Sequence, residues 1–366
     1  MTTMRPDGLL RLRLINHRLV GSTLRTPLEV VSHLGAVQAQ DYGSAKWGVG
    51  LRAPGLTSAG VDAALDEGTI VRTHVLRPTW HFVAPADLRW MLALSAPRIR
   101  KAMGSYLRRL GLTERVLAKS RRTIERALTG HRSLTRAELV DVLRRSGVAV
   151  DGLRPNFLTL DAEIEGVVCS GPRRGKQHTY ALIEERIPEG RRLEGDAALG
   201  ELARTYFPSH GPATLRDFGW WSGLAARDAR HAVEMNASSL QRATLNGLTY
   251  WFVDDAGPRG KFHPPTVHLV PDFDEYLVAY QDRRLIVDGD ASPIHLRRAR
   301  GDLLSAVVIV NGKVIGTWKR SVQRNALSLE ISLSSSVEDR VRRAIRRTVT
   351  AYGDFSQTPA RCSIDR

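Results

Sequence analysis

The chain has 366 residues, 42% of them hydrophobic and 25% charged, which at about 150 residues per domain suits two to three folded domains and excludes a disordered, fibrous or disulfide-stapled chain. Its 54 Lys and Arg outweigh 38 Asp and Glu, leaving a formal net charge of +16, so the expected partner is a polyanion. Only seven of the cations are lysine; arginine's planar fork suits phosphate and base edges, although GC-rich codon usage enriches arginine in proteins of any function.

In chain order, the first 85 residues predict a helix from Leu9 to Val20, and a second from Pro27 to about Val37 with Thr26 as N-cap and Pro27 in its first turn. A short third helix runs from Ser58 to Asp66 and is ended by Gly68. Thr69 to Ala84, rich in Thr, Val, Trp and Phe, predicts two strands. Helices followed by a small antiparallel ribbon outline a winged helix. Residues 86–110 predict a longer helix, or two broken at Pro97, leading to the next unit.

The same order recurs twice. Arg115–Thr129 and Arg136–Arg145, the latter capped by Thr135, predict helices; a third runs from about Arg154 to Cys169, and a Pro-Arg-Arg-Gly turn leads into a strand from Gln177 to Ile183. The third pass has helices at Leu199–Tyr206, Thr214–Trp221 and Ala225–Met235, then strands Leu240–Leu245 and Leu248–Val253. Asn246-Gly247 joins these strands and is a strong hairpin signal. From Thr266 the pattern changes to a strand Val267–Val270, a segment Tyr276–Tyr280, a hairpin Ala306–Trp318 turning at Asn311-Gly312, a strand Ala326–Leu333 and a helix Ser336–Tyr352. The expected fold is α+β: three tandem winged-helix units at 1–110 (with the linking helix), 111–190 and 191–264, and a C-terminal α+β lobe at 265–366.

No apolar run approaches the roughly 20 residues that span a bilayer. The N-terminus, interrupted by Asp7, Arg11, Arg13 and His17, has no signal-peptide core. Cys169 and Cys362 alone build neither a disulfide framework nor a zinc cluster. A cytoplasmic, nucleoid-associated location is expected.

The chain carries no Gly-rich phosphate loop, zincin helix or nucleophile elbow. Asp272, Asp274 and Glu275 lie close enough in sequence to hold a divalent cation, but such a loop more commonly caps a helix, here one beginning at Glu275. His263 and His268 have no third ligand at a fitting offset. No metal or cofactor is expected.

Gln38-Ala39-Gln40 is the more telling segment. In a helix the two glutamines point about 200° apart, whereas in extended chain residues i and i+2 project from one side. Two amides so placed can hold a water and aim it without being strong bases, and Asp41, next in line, adds basicity. The plainer alternative is a polar helix end with no role.

Along Val75 to Phe82, alternation predicts one face of Val75, Arg77, Thr79 and His81 and another of His74, Leu76, Trp80 and Phe82. The first face is either a solvated strand or a surface laid on an anionic ligand, with Arg77, Thr79 and His81 as its DNA-contacting candidates. The Asn311-Gly312 hairpin has Lys313, Trp318, Lys319 and Arg320 at or beyond its tip. Asn311, Lys313, Lys319 and Arg320 are therefore candidates for entering a groove of DNA, against the alternative of an ordinary basic hairpin.

At these residues the sequence resembles the AlkZ-type DNA glycosylases (the AlkZ/YcaQ family) from Leu10 to about Asp354. The carrying segments are LGAVQAQDYGSAKWGVGLR at 34–52, RPTWHFVAPADLRWML at 77–92, PDFDEYLVAYQDR at 271–283 and VVIVNGKVIGTW at 307–318. The resemblance implies three tandem winged helices in a concave, DNA-embracing arrangement and a glutamine-apolar-glutamine motif falling on Gln38, Ala39 and Gln40. It also implies excision of N7-alkylated purines from duplex DNA and, in some members, unhooking of interstrand crosslinks as self-resistance in bacteria that make DNA-alkylating antibiotics. One departure stands out: Pro78 occupies the place before Thr79 where glycine is expected.

The chemistry fits the residues on its own terms. Alkylation at N7 makes the purine cationic and a good leaving group, so an aimed water suffices. Amide oxygens can stabilise the oxocarbenium charge developing on the sugar, as carboxylates do in glycoside hydrolysis. With few lysines and only Lys46 near the motif, simple hydrolysis is favoured over a Schiff-base lyase. A monomer acting on double-stranded DNA is expected. The competing classes are a winged-helix transcriptional regulator without catalysis, which would dimerise on a palindrome, and a structural nucleoid protein, which needs only charge.

Overall fold

The computed structural model describes residues 2–187, 190–253, 263–287, 305–323 and 326–365. The chain forms two compact units, one made of residues 1–61 with 200–366 and the other of residues 62–199. The segment 1–110 thus contributes elements to both.

The first unit begins with β1 (Thr2–Thr3), α1 (Pro6–Asn16), α2 (Pro27–Leu34), β2 (Ala36–Gln38) and α3 (Tyr42–Gly50), and α4 (Ser58–Glu67) carries the chain across the division. The second unit holds β3 (Val71–His74), β4 (Trp80–Val83), α5 (Pro85–Arg109), α6 (Glu114–Leu128), β5 (Leu134–Thr135), α7 (Arg136–Arg145), α8 (Arg154–Ile164), β6 (Val168–Arg174), β7 (Gln177–Leu182) and α9 (Ile183–Arg186). α10 (Gly195–His210) leads back to α11 (Leu215–Ser222), α12 (Ala226–Met235), β8 (Gln241–Leu245), β9 (Leu248–Phe252), β10 (Val267–Val270) and α13 (Glu275–Val278). The chain closes with β11 (Val307–Val310), β12 (Lys313–Gln323), β13 (Ala326–Leu333), α14 (Asp339–Ser356) and β14 (Ala360–Asp365).

In the first unit β1 runs parallel to β8, which is hairpinned to β9. A five-stranded sheet orders β10-β11-β12-β13-β14, antiparallel except for the parallel pair β13–β14. Asn246-Gly247 and Asn311-Gly312 both take positive φ (50°, 74° and 50°, 88°), the conformation that two-residue hairpin turns demand. In the second unit β3 pairs with β4, and β7 lies between β5 and β6.

Capping decides several boundaries. α2 and α7 begin with the expected Thr26 and Thr135, each closing a capping box with a glutamate three residues on. α2 stops at Leu34, three residues short of the periodic reading, because Gly35 adopts φ +77°. A Cβ there would lie 2.5 Å from Thr205 Cγ2, so glycine is required and the chain leaves the helix as β2. α8 likewise ends at Ile164: Gly166 at φ +72° and the bonds Gly166 N–H to Glu163 O and Val167 N–H to Ala162 O close a Schellman-like end, and Val168 starts β6. α5 runs unbroken for 25 residues with Pro97 inside it.

The expected alternating face of Val75, Arg77, Thr79 and His81 does not form. Between β3 and β4 the chain turns instead of extending, with Leu76 at φ +62° and tight bonds from Arg77 N–H to Val75 O and from Thr79 N–H to Arg77 O, both 2.7 Å. Val75 and His81 are fully buried. Pro78 stands in this turn outside the ladder, where its missing N–H breaks no strand hydrogen bond.

The second unit's core gathers Leu117, Ile124, Leu139, Leu143, Leu158 and Leu182. The first unit's core contains a cluster of polar and aromatic side chains. Tyr206, Trp221, Tyr276 and Tyr280 are buried there together with Arg13, His17, Arg52 and His210, and such groups are tolerated inside only when hydrogen-bonded or paired.

Candidate active site

Gln38 ends β2, Ala39 and Gln40 follow, and Asp41 is the N-cap of α3, its Oδ1 accepting the Ser44 N–H at 2.7 Å. Gln38 and Ala39 are buried, with Gln38 8% exposed, and Gln40 and Asp41 are exposed. The glutamines thus flank a fully buried alanine where a strand gives way to a helix, in non-helical chain.

The segment Pro271–Glu275 grips this junction with three carboxylates. Asp272 Oδ2 accepts the Ser44 hydroxyl at 3.3 Å in the first turn of α3, while its Oδ1 accepts the Ala306 N–H at 3.0 Å. Asp274 forms a two-pronged pair with Arg52, just beyond the end of α3, with both N–O distances 2.8 Å. Arg52 also donates to Gly48 O and His17 O. Gly48 permits this approach, since a Cβ on it would lie 2.9 Å from Asp274 Oδ2. Glu275 Oε1 accepts the Gln38 backbone N–H at 2.7 Å. Asp274 also caps the short α13 through the Tyr276 N–H, so the acids weighed as a cation site serve as a helix cap and braces.

Behind Glu275 lies a buried polar layer. Its Oε2 accepts the Trp221 indole N–H at 2.9 Å and lies 3.5 Å from His210 Nε2. His17 Nε2 and the Tyr280 hydroxyl are 2.7 Å apart, and that hydroxyl donates to His210 O. Burial holds the His17 imidazole well below its ordinary pKa and lowers that of His210 even with Glu275 beside it. Both rings are therefore neutral near pH 7.

Beside the Asp41 end of the motif a cavity of about 440 Å³ is lined by Gly43, Ser44, Asp272, Lys319, Arg320 and Tyr352 among others. Arg320 Nη1 donates to the Tyr352 hydroxyl at 3.1 Å. The fold thus brings Lys319 and Arg320, from the distal part of β12, to the start of α3.

Asn311 and Lys313 are elsewhere. Asn311 Oδ1 accepts the Thr266 N–H at 3.0 Å, and the Tyr276 hydroxyl donates to Gly312 O at 2.9 Å, so the Asn-Gly turn is seated in the unit. Lys313 lines a separate groove of about 1020 Å³ with Arg5, Arg11 and Arg242. Six residues of strand, roughly 20 Å, separate Lys313 from Lys319. Trp318 is buried, its N–H donating to Val270 O.

Arg77, Thr79 and His81 belong to the second unit. His81 Nδ1 meets Thr79 O at 2.9 Å. Nearby, Glu163 joins His74 Nδ1 at 2.5 Å and the Trp80 N–H at 3.1 Å, and the Arg72 guanidinium lies 4.3 Å above the Trp80 ring.

Sequence reasoning missed α3, whose glycines at 43, 48 and 50 blur helical periodicity, although Asp41 with Ser44 three residues on is an N-cap signal. It also missed Tyr352 and the bond from Glu275 to Gln38, which join residues far apart in the chain.

The class to which the chain belongs by sequence is that of the DNA glycosylases. The chain belongs to the AlkZ-like family: the sequence profile described as "DNA glycosylase AlkZ-like" matches residues 31–355, a span that includes Gln38 to Asp41. Among curated proteins it is 26% identical over 303 residues to an "Interstrand DNA cross-link repair glycosylase" from Streptomyces sahachiroi, covering 80% of this chain and 81% of that protein. Its fold is similar to the solved structure of Streptomyces sahachiroi DNA glycosylase AlkZ, with a TM-score of 0.80 and 22% identity over 99% of this chain and 100% of that one.

Proposed function

We propose that this glycosylase hydrolyses the N-glycosidic bond of N7-alkylated purines in duplex DNA, and that it also unhooks interstrand crosslinks, as the name of its curated relative indicates for that protein. The observation that carries this reading is the placement of Gln38 and Gln40 on either side of buried Ala39, with Asp41 next to them at the start of α3. The two amides hold the attacking water and turn an oxygen toward the sugar as oxocarbenium charge develops. Asp41 has one oxygen on the Ser44 N–H, and the other draws a proton from that water. The cationic purine departs without a general acid.

Lys319 and Arg320 hold phosphates beside the lesion, and Asn311 and Lys313 touch backbone farther along. Arg77 and Thr79 contact DNA from the second unit, with His81 setting the shape of their turn. The helix-and-ribbon segments 1–110, 111–190 and 191–264 act as winged-helix units, with 265–366 as the lobe that carries the basic strand. The enzyme works as a monomer, without metal or cofactor, in the cytoplasm on the nucleoid.

The test is incubation with a duplex containing one N7-methylguanine, followed by alkali to cut abasic sites. Strand cleavage dependent on Gln38 and Gln40 is the expected result. Tight binding with no base release would return the regulator reading.

A further inference from the structure

We infer that Glu275 is a positioning residue for base excision, acting through the backbone of Gln38. This rests on the reading of Gln38 as a water-aiming group. The Glu275 carboxylate is completely buried and lies between the last N–H of β2 and the indole of Trp221, at 2.7 and 2.9 Å.

Burying a carboxylate is costly, and a well-packed apolar side chain of similar volume generally serves stability as well or better. Stability alone therefore does not account for an acid at this place. Its geometry does: one oxygen is hydrogen-bonded to the peptide N–H of Gln38 itself, so moving the carboxylate moves the residue. Asp272 and Asp274, on the same short segment, hold the first turn of α3 and Arg52 beyond its end. With Glu275 on the strand side and these two on the helix side, the four residues from Gln38 to Asp41 are clamped at both ends by one five-residue segment. Trp221 in turn fixes the clamp's position through its indole N–H. A water held by two amides is aimed only as well as their backbone is held, because catalytic groups tolerate misplacement poorly.

The test is a double-mutant cycle read in single-turnover release of N7-methylguanine. Glu275→Gln is expected to lower the rate about tenfold or more with unchanged affinity for undamaged duplex. In a Gln38→Ala background the same change should cost less than about twofold, since the group it positions is gone. Trp221→Phe, which keeps the carboxylate and the aromatic bulk but removes one N–H, should show the same pattern in smaller measure and carries the cycle if Glu275→Gln does not fold. A loss of equal factor in both backgrounds, or no loss in either, overturns the positioning role. If Gln38→Ala alone reacts at the wild-type rate, the glutamine reading itself fails, and the inference with it.

Discussion

Arg320 lies across Gly43 so closely that a Cβ on that glycine would meet the guanidinium Nη2 at 2.8 Å, with Asp41 Oδ1 3.6 Å from the same point. A cation from β12 and a carboxylate from the glutamine junction thus share the bare first turn of α3. Gly43 does not adopt positive φ, so its role is room for Arg320 rather than backbone freedom. Gly43→Ala is expected to keep or raise stability, by about 0.4–1 kcal/mol, while displacing Arg320 and slowing base release. Urea denaturation beside single-turnover kinetics reads both; unchanged kinetics would leave Arg320 without a part at the site.

Gln38→Ala and Gln40→Ala should each slow excision by on the order of 10²-fold, the scale of losing a group that orients the reacting water, with little change in binding to undamaged duplex. Both variants at wild-type rate, while folded, would end the assignment.

Asp41 has two separable duties, because asparagine also caps helices well. Asp41→Ala should cost about 1 kcal/mol of stability through the lost cap, whereas Asp41→Asn keeps the cap and removes only the basic oxygen. If Asp41→Asn is stable and excises normally, Asp41 is a cap alone; if stable and inactive, the carboxylate draws the proton.

Affinity for duplex should fall steeply with salt, log K against log [salt] sloping by about 0.9 for each phosphate neutralised. Lys313→Ala should reduce that slope by about one phosphate and leave the rate of bound complexes untouched. Replacing Lys319 and Arg320 by alanine should lower both. A flat salt response would mean that the net charge of +16 is compositional and not a DNA footprint.

Stability should decline on acidification from pH 7 to 5. His17 and His210 are neutral and buried, with folded pKa values below that of the unfolded chain. Below the unfolded value of about 6.5 the unfolded state therefore binds more protons, and each histidine removes up to about 1.4 kcal/mol per pH unit until its folded pKa is reached. Urea midpoints measured across this range test it, and His210→Gln should flatten the slope. A midpoint constant from pH 7 to 5 would contradict neutral burial of these rings.

How much could be foreseen from residues alone followed the range of the forces involved. Boundaries set by neighbours in sequence were legible: Thr26 and Thr135 cap where expected, Asn246-Gly247 and Asn311-Gly312 turn their hairpins, and β10 and β13 fall on Val267–Val270 and Ala326–Leu333. The helical and extended alternatives at Gln38 are decided at Gly35, where the chain leaves the helix at positive φ and Thr205, 170 positions away, leaves no room for a Cβ. The buried face at Val75 and His81 was not foreseen, because the turn at Leu76 breaks the alternation on which that argument stood. Likewise β14 and the braces from Asp272 to Glu275 depend on contacts that no local pattern encodes.

β12 is long enough to have two ends with different company: Lys313 faces one basic groove and Lys319–Arg320 another cavity. At 3.4 Å of rise per base pair, the roughly 20 Å between them is the length of about six base pairs. On the proposed function, in which both ends of β12 hold phosphates, this strand would act as a ruler that measures a duplex over more than half a helical turn. An oligonucleotide trimmed to four or five base pairs on that side of its lesion reaches only the nearer end, so the minimal substrate length reads the ruler directly.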